Sequence, residues 1–196
     1  SEMCIRDSIA RAKVKYRSGA RENDIVYVTG YLGDSAQGLL DIRSGVYDSP
    51  FIAVHHDPHP CVNEGIWLGN QPEVHAMMDI SDGLSSELLH ICRQSHTGCR
   101  IYEDRIPIDY QTAVMAEEFN MSLVTAALNG GEDYELLFTV PLSCHDEVSV
   151  IPCIHVIGHI TAPSLGLCMI TRDGNEIELR AQGWNSLAEE KRQTDK

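Results

Sequence analysis

Two carboxylates and a hydroxyl group stand where a short apolar stretch gives way to a helical pattern, in Asp79-Ile80-Ser81-Asp82-Gly83. Carboxylate oxygens are the ligands that Mg²⁺ prefers, and the first N–H groups of a helix attract phosphate. The same residues also fit a plainer interpretation, in which Ser81 or Asp82 caps the helix and Asp79 only ends a strand. The residues by themselves leave both interpretations open.

Two further segments combine glycine with polar groups. The turn from Thr29 to Ser35 has glycines that permit close backbone approach, but it lacks the spacing of the known phosphate-binding loops, so ordinary turn formation is favoured. The stretch from Gly130 to Phe138 places Glu132, Asp133 and Glu135 at the start of a strand. So many carboxylates are unfavourable there unless some of them face solvent or a bound cation.

Other residue types that could do chemistry carry weaker signals. His55, His56 and His59 form an H-H-x-x-H pattern. Zinc is not favoured, because Asp57-Pro58 should prevent a helix and no cysteine or carboxylate partner stands at ligand spacing. The seven cysteines are an odd number without a C-x-x-C pair, which indicates buried thiols in a reducing cytoplasm.

Alternating strand and helix patterns must position these residues. Strands are predicted at 24–29, 76–80, from 101, and at 134–140, 155–161, 167–171 and 177–179, and helices from 34, from 84, at 109–119 and at 123–128. Prolines at 50, 58 and 60 predict an irregular loop over 50–60, and Arg172-Asp173-Gly174-Asn175 predicts a hairpin turn. Mixed elements in this order predict an α/β or α+β layered domain.

Charge and hydropathy narrow the class of protein. The 196 residues include 15 Lys and Arg against 29 Asp and Glu, a net charge of −14, so neither a nucleic acid nor an anionic membrane is expected as a partner. Residues 148–171 lack Asp, Glu, Lys and Arg, but their prolines, glycines and histidines favour short buried strands over a membrane span. With 43% hydrophobic residues, one globular domain is expected, with a ragged or foreign edge at 1–10 and a charged tail at 188–196.

Taken together, the motifs resemble those of the thiamine-monophosphate kinase family. The matching pieces, in order, are Arg17-Ser18-Gly19-Ala20, Val28-Thr29-Gly30, Gly33-Asp34-Ser35-Ala36, Met78 to Leu84, Gly130 to Phe138, and Gly183-Trp184. Two positions depart from the family pattern, since Cys61 stands where a basic residue is common and Asn23 stands where glycine is common. Both departures leave the acidic motif intact.

The resemblance implies a fold and an assembly. The family is part of the aminoimidazole ribonucleotide synthetase superfamily, whose members pair two α/β domains and dimerise through the first. Residues 11–187 resemble the C-terminal domain with the segment that leads into it, a mixed sheet with flanking helices. The N-terminal domain, which carries most of the aspartates for Mg²⁺ and ATP, is missing, so we expect this chain alone to be inactive. The full-length protein is expected to be a cytoplasmic homodimer.

The resemblance also implies roles for single residues. ATP contacts are implied for Arg17 and Ser81, Mg²⁺ ligands for Asp79 and Asp82, and contacts to thiamine monophosphate for Glu132 and Trp184. The implied reaction transfers the γ-phosphoryl group of ATP to the substrate phosphate, which gives thiamine diphosphate and ADP. Without the resemblance, the tryptophan would be a cover over the core and the glutamate a solvated residue at a strand start.

Two alternatives stay open. A sister ATP-dependent synthetase of the same superfamily, of the selenophosphate or aminoimidazole ribonucleotide type, would share ATP and Mg²⁺. Such an enzyme should not carry the Gly-Gly-Glu-Asp-Tyr-Glu block together with a Gly-Trp pair near the end. A non-catalytic binding or assembly domain would instead fail to bind thiamine monophosphate even when a first domain is supplied.

Overall fold

The computed structural model describes residues 14–110, 112 and 123–180 of the chain. Their strands are β1 (Asp24–Thr29), β2 (Ala76–Asp79), β3 (Gly98–Tyr102), β4 (Leu136–Pro141), β5 (Ile154–Thr161), β6 (Leu167–Ile170) and β7 (Glu176–Glu178). Their helices are α1 (Asp34–Ser44), α2 (Pro50–His56), α3 (Val62–Asn70), α4 (Leu84–Ser95), α5 (Leu123–Asn129) and the short α6 (His145–Val148). The predicted edge at 1–10, the tail at 188–196, most of the helix predicted at 109–119, and Trp184 lie outside the described residues.

The seven strands form one sheet in the order β2-β4-β1-β5-β3-β6-β7. β3 and β6 run parallel, whereas the other neighbouring strands of the described residues run antiparallel. β1 lies inside the sheet, where its β-branched residues suit a strand that is covered on both faces. The prediction of a layered domain with a mixed sheet and flanking helices is therefore confirmed.

The core lies on both faces of the sheet because strand side chains alternate in direction. Val26 and Val28 join the larger cluster of buried side chains, which includes Leu84 and Leu88 of α4. Tyr27 points to the other face and stacks on Phe138, with ring centroids 5.4 Å apart. The spacing of apolar residues in α4 thus marks the helix face that covers the sheet.

The segment predicted as an irregular loop over 50–60 is helical in its first part. Pro50 occupies the start of α2, and the Ser49 hydroxyl accepts a backbone N–H two residues later at 3.3 Å. A proline at the first helical position loses no hydrogen bond, so it begins a helix instead of breaking one. The prediction that no helix could hold the histidines was therefore wrong for His55 and His56, which end α2.

The long stretch without charged residues forms strands and turns, as predicted. Residues 148–171 contain β5 and β6, each of which is bounded by turns. Gly174, with φ 81°, lies in the hairpin turn between β6 and β7. In the described parts of the chain, none of the helices has the length and hydropathy that crossing a bilayer requires.

Candidate functional site

The loop between β2 and α4 presents the acidic motif. Asp79 ends β2, where it pairs with Leu136 of β4, and the side chains of Asp79 and Asp82 are exposed. Ile80 between them is fully buried, so it anchors the loop in the core. This local pattern of one buried residue between exposed ones is what turns both carboxylates toward solvent.

The interpretation of Ser81 or Asp82 as a helix cap is wrong. Gly83 occupies the cap position of α4 with φ 98°, and no side chain caps that helix. A Cβ at Gly83 would lie 2.8 Å from the carbonyl oxygen of Leu128, so glycine is required for the close approach of α5. Asp82 instead donates its backbone N–H to Oε1 of Glu87 at 3.1 Å, which leaves its own carboxylate at the surface.

The segment 130–135 lies directly against this loop. The N–H groups of Glu132 and Tyr134 donate to the carbonyl oxygens of Ser81 and Ile80, at 2.8 and 2.9 Å. These bonds extend the pairing of β2 with β4 past the regular strands. Glu132 and Tyr134 have positive φ, 60° and 55°, which is why β4 begins at residue 136 and not at 134 as predicted.

Tyr134 binds one carboxylate and lies within electrostatic reach of two others. Its hydroxyl donates to Oε2 of Glu132 at 2.8 Å. This hydrogen bond is the largest cause that raises the pKa of the Tyr134 phenol, and burial and the charges of Glu132, Asp79 and Asp82 raise it further. The structure therefore sets Glu132 against the loop that carries Asp79, Ser81 and Asp82, through the backbone bond to Ser81, and the charges of Asp79 and Asp82 reach the phenol that binds Glu132.

A further acidic residue, Glu87, lies beside the loop of Asp79 and Asp82. The sequence patterns did not single it out. It lies in the first turn of α4 and is 2% exposed. Burial raises the pKa of the Glu87 carboxyl, as do the charges of Asp82 and Asp79, while the N–H of Asp82 and the charge of His90 lower it. For Glu87 the available signal was an acidic residue in the first turn of a helix that follows an acidic loop.

The donor set can be compared with what a metal ion requires. Within 14–110, 112 and 123–180, no group of three or more His, Cys, Asp or Glu residues is arranged to hold a metal ion. Mg²⁺ is commonly held by one or two carboxylates together with substrate phosphates and water. Asp79 and Asp82, exposed and close to the same phenol, fit that partial role and do not form a complete protein site.

Arg17 lies on the lead-in segment, which follows the outer edge of β2. The carbonyl oxygen of Tyr16 accepts the N–H of Met77 at 3.0 Å, two residues before Asp79. The N–H groups of Gly19 and Ala20 both donate to the hydroxyl of a serine at the end of α4, at 3.1 Å each. The exposed Arg17 thus lies beside β2, the edge strand that leads into the acidic loop. Its side chain makes no hydrogen bond or ion pair with another described residue.

A cavity of about 490 Å³ lies beside the C-terminal end of the described residues. It is lined by Ser85 of α4, Asn129 at the end of α5, and Leu179 and Arg180. Trp184 itself lies outside the described residues, so its predicted position stays a prediction. The last described residues and Ser85, in the first turn of α4, thus face the same cavity.

The three carboxylates after Gly131, of Glu132, Asp133 and Glu135, have different surroundings. Glu132 is exposed, whereas Asp133 is 7% exposed and accepts the N–H of Gly33 at 3.1 and 3.2 Å. Glu135 accepts hydrogen bonds from the hydroxyl of Thr29 and, at 3.1 Å, from the thiol of Cys61. Hydrogen-bond donors from other elements therefore offset much of the cost that the sequence predicted for this cluster.

Comparison with known proteins gives the chain a family. The domain described as "AIR synthase related protein, C-terminal domain" matches residues 21–164. The thiamine-monophosphate kinase of Escherichia coli (strain K12) is 38% identical over 184 residues, which are 88% of this chain and 55% of that protein. The chain spans about half the length of the curated relatives it matches.

Solved structures show the same fold. The thiamine-monophosphate kinase from Stenotrophomonas maltophilia K279a has a TM-score of 0.76 and 26% identity, over 88% of this chain and 56% of that one. AaThiL complexed with AMPPCP and TMP has a TM-score of 0.73 and 30% identity, over 86% of this chain and 52% of that one. By its matched domain this chain belongs to the AIR synthase related proteins, and it resembles the C-terminal part of thiamine-monophosphate kinases.

Proposed function

We propose that this chain is the C-terminal half of a cytoplasmic kinase that transfers the γ-phosphoryl group of ATP to thiamine monophosphate. The observation that carries the proposal is the backbone pairing of segment 130–135 with the loop of Asp79, Ser81 and Asp82, which sets Glu132 beside Ser81. These residues stand in the motifs by which the chain resembles thiamine-monophosphate kinases. A solved relative, AaThiL, was obtained in complex with AMPPCP and TMP, which supports both substrates.

The proposed phosphoryl transfer depends on positioning and charge neutralisation more than on a nucleophilic side chain. Asp79 and Asp82 would hold Mg²⁺, which would supply the positive charge that phosphates need beside these carboxylates. Ser81, between the two aspartates, would donate its hydroxyl to a phosphate oxygen of ATP. The N-terminus of α4, which no side chain caps, would add backbone N–H groups of favourable polarity.

Glu132 would recognise the organic part of thiamine monophosphate, which carries an exocyclic amine and a cationic thiazolium ring. Its exposed carboxylate can accept a hydrogen bond from the amine or face the cation. The Tyr134 hydroxyl fixes one carboxylate oxygen, and its ring offers an aromatic surface. Trp184 would add a second aromatic surface from the residues that follow the cavity beside α4.

Arg17 and the domain organisation complete the proposal. Arg17 would reach the ATP phosphates from the edge of β2, since no described residue holds its guanidinium. Residues 11–187 would form the C-terminal domain with its lead-in segment. An N-terminal domain would contribute further aspartates for ATP and Mg²⁺ and the surface of a homodimer.

The test needs the missing half. We define the joined enzyme as this chain fused to the N-terminal half of the Escherichia coli relative, which the chain does not span. With ATP, Mg²⁺ and thiamine monophosphate, the joined enzyme should form thiamine diphosphate, whereas the 196-residue chain alone should form none. Turnover by the chain alone would contradict the missing domain, and ADP release by the joined enzyme without thiamine diphosphate would contradict the substrate.

Residue roles are tested in the same joined enzyme. Glu132→Gln and Trp184→Ala should raise the KM for thiamine monophosphate and leave the KM for ATP nearly unchanged, because only one substrate loses contacts. Arg17→Gln should do the reverse. An effect of Glu132→Gln on ATP alone would remove Glu132 from the substrate site.

A further inference from the structure

The carboxylate of Asp133 lies on the opposite side of segment 130–135 from the acidic site. Both of its oxygens accept the N–H of Gly33, at 3.1 and 3.2 Å, and the carboxylate also accepts from the N–H of Ser35. Gly33 stands at the cap position of α1 with no side chain that could cap the helix. A residue 100 positions along the chain therefore completes this helix end.

The neighbours of Asp133 have backbone conformations that need support. Glu132 and Tyr134 both lie in the left-handed region, at φ 60° and 55°. Residues with a Cβ occupy that region sparsely, and they keep it only where surrounding contacts enforce it. Backbone bonds to Ser81 and Ile80 support the segment on one side, and the Asp133 side chain supports it on the other.

The space around the segment leaves little room for another arrangement. A Cβ at Gly130 would lie 2.6 Å from the Cβ of Ala36 in the first turn of α1. A Cβ at Gly131 would lie 2.6 Å from the carbonyl oxygen of Ser81. The backbone of these glycines thus fills the gap between α1 and the acidic loop, so a change at the α1 end is transmitted to Glu132.

We propose that Asp133 is a positioning residue: by joining segment 130–135 to the N-terminus of α1, it holds Glu132 and Tyr134 beside Asp79 and Asp82 in the arrangement that receives the substrate. What the site receives rests on the proposed function. The positioning itself is a property of this chain. Burying a carboxylate to cap a helix is less favourable in free energy than placing an ordinary cap residue at position 33. We therefore attribute the burial of Asp133 to the segment that it holds.

The first measurement is amide hydrogen exchange of the 196-residue chain, with Asp133→Ala and the near-isosteric Asp133→Asn compared with the wild type. Exchange at the N–H groups of Glu132 and Tyr134 should become at least about tenfold faster in Asp133→Ala, and less so in Asp133→Asn. The N–H groups of Tyr27 and Phe138, inside the sheet, serve as internal controls and should not change. Equal acceleration of the controls would reduce Asp133 to general stability, and unchanged exchange at Glu132 would overturn the proposal.

A matched variant separates positioning from burial. Asp24 is another buried aspartate, 2% exposed, which pairs with His75 at 2.9 Å. Asp24→Asn should lower the unfolding midpoint without faster exchange at Glu132 and Tyr134. Faster exchange at those two residues in Asp24→Asn would show that any loss of stability loosens the segment, and the proposal would fall.

Kinetics of the joined enzyme connect the segment to the substrate. Asp133→Asn should raise the KM for thiamine monophosphate several-fold with little change in kcat or in the KM for ATP, and Asp24→Asn should change none of these. An unchanged KM for thiamine monophosphate, with wild-type turnover present, would overturn the positioning role alone. Absence of thiamine diphosphate from the wild-type joined enzyme would instead overturn the proposed function, and the exchange measurement would still decide whether Asp133 holds the segment.

Discussion

The turns that lead from β1 into α1 and from β2 into α4 are built alike and completed differently. Each has a glycine with positive φ at the cap position, Gly33 at 90° and Gly83 at 98°, and in neither does a nearby side chain cap the helix. At α1 the buried carboxylate of Asp133 takes that place. At α4 no side chain does, and the exposed Asp82 stands beside the helix end.

This difference separates a helix end that a carboxyl from elsewhere in the fold caps, the closed turn, from one that has no side-chain cap and is flanked by the exposed Asp79 and Asp82, the open turn. The first N–H groups of a helix carry partial positive charge, which a carboxylate or a phosphate can neutralise. At α1 the group that accepts these N–H donors belongs to the fold itself, the carboxyl of Asp133. At α4 the buried carboxylate of Glu87 accepts the N–H of Asp82 just before the helix, and the exposed Asp79 and Asp82 remain beside it. One segment, 130–135, serves both ends, since Asp133 points to α1 and Glu132 to the side of α4.

The largest effect is expected from a change at the open turn. In the joined enzyme, Asp82→Asn should lower kcat by about 100-fold or more, because an amide is a poor substitute for a charged Mg²⁺ ligand. Stability should change by well under ~1 kcal/mol, since Asp82 is exposed and caps nothing. The measurements are kcat, a Mg²⁺ titration and thermal unfolding.

Asp173→Asn is the matched control, because Asp173 is an exposed aspartate in the hairpin turn between β6 and β7. It makes the same change of charge and should leave turnover intact. If Asp82→Asn kept full turnover and lowered the melting temperature instead, Asp82 would be structural and the contrast between the two turns would be lost.

The next effect concerns the two glycines themselves. A Cβ at Gly83 would lie 2.8 Å from the carbonyl oxygen of Leu128, whereas a Cβ at Gly33 would lie 3.3 Å from the nearest atom, the backbone nitrogen of Ala127. Both alanine variants carry the cost of positive φ, and only Gly83→Ala adds a severe contact with α5. We expect Gly83→Ala to lower the free energy of unfolding by about 3 kcal/mol and Gly33→Ala by about 1–2 kcal/mol.

Urea unfolding of the three alanine variants at 83, 33 and 45 measures this difference. Gly45 ends α1 with φ 77° and has nothing within 4 Å of its would-be Cβ, so its alanine variant reports the conformational cost alone for the left-handed backbone that Gly33 shares. Equal losses at Gly83 and Gly33 would mean that contact with α5 does not distinguish the turns.

The periodic spacing of apolar residues predicted most of the helices and strands. It failed where the apolar residues of an element are not the buried ones. β1 and α4 were correct because their apolar residues have the period of the element that they form. α3 was missed because its apolar residues do not mark a buried face: Val62 and Ile66 are 57% and 60% exposed. The proline at the start of α2 was interpreted as a breaker although that position tolerates it.

The candidate site divides in the same way. Asp79, Ser81 and Asp82 are neighbours in the chain, so their meeting follows from a strand that turns into a helix. The contacts of Glu132 with Tyr134 and of Asp133 with Gly33 depend on positive φ and on a partner 100 positions away. Residue types and spacing carry no signal for such contacts, and three-dimensional structure is needed to find them.

The closed turn predicts a pH dependence of stability. Burial is the largest cause that raises the pKa of Asp133 to about 7, the charges of Asp34 and Glu135 add to it, and the N–H groups of Gly33 and Ser35 oppose it. An acid with a higher pKa in the folded state binds more protons folded than unfolded between the two pKa values. Its contribution therefore makes the protein less stable as pH rises from about 4 to about 7.

Asp133→Asn removes this titration. The loss of unfolding free energy between about pH 5 and pH 7.5 should be smaller in the variant than in the wild type, by about 2 kcal/mol. Urea unfolding across this range is the measurement, and Asp173→Asn, which is exposed, should keep the wild-type slope. Parallel curves for wild type and Asp133→Asn would contradict the raised pKa of Asp133.

The smallest effect is expected where the segment faces the open side. Tyr134→Phe keeps the ring and removes the hydroxyl that donates to Oε2 of Glu132 at 2.8 Å. The Glu132 carboxylate then loses one of the groups that orient it, at a cost of about one net hydrogen bond, 0.5–1 kcal/mol. In the joined enzyme the KM for thiamine monophosphate should rise about two- to fivefold, with kcat and the KM for ATP unchanged. Stability should change little, because Tyr134 is 37% exposed.

Two other variants help to interpret the rise in KM that Tyr134→Phe causes. Tyr47→Phe, at a tyrosine that is 76% exposed, should leave all kinetic constants unchanged. Glu132→Gln should raise the KM for thiamine monophosphate more than Tyr134→Phe does, because it removes the charge that the hydroxyl only orients. If Tyr134→Phe had the larger effect, the hydroxyl itself would be the substrate contact, and Glu132 would serve the tyrosine. The open side of segment 130–135 would then be organised around the phenol and not around the carboxylate.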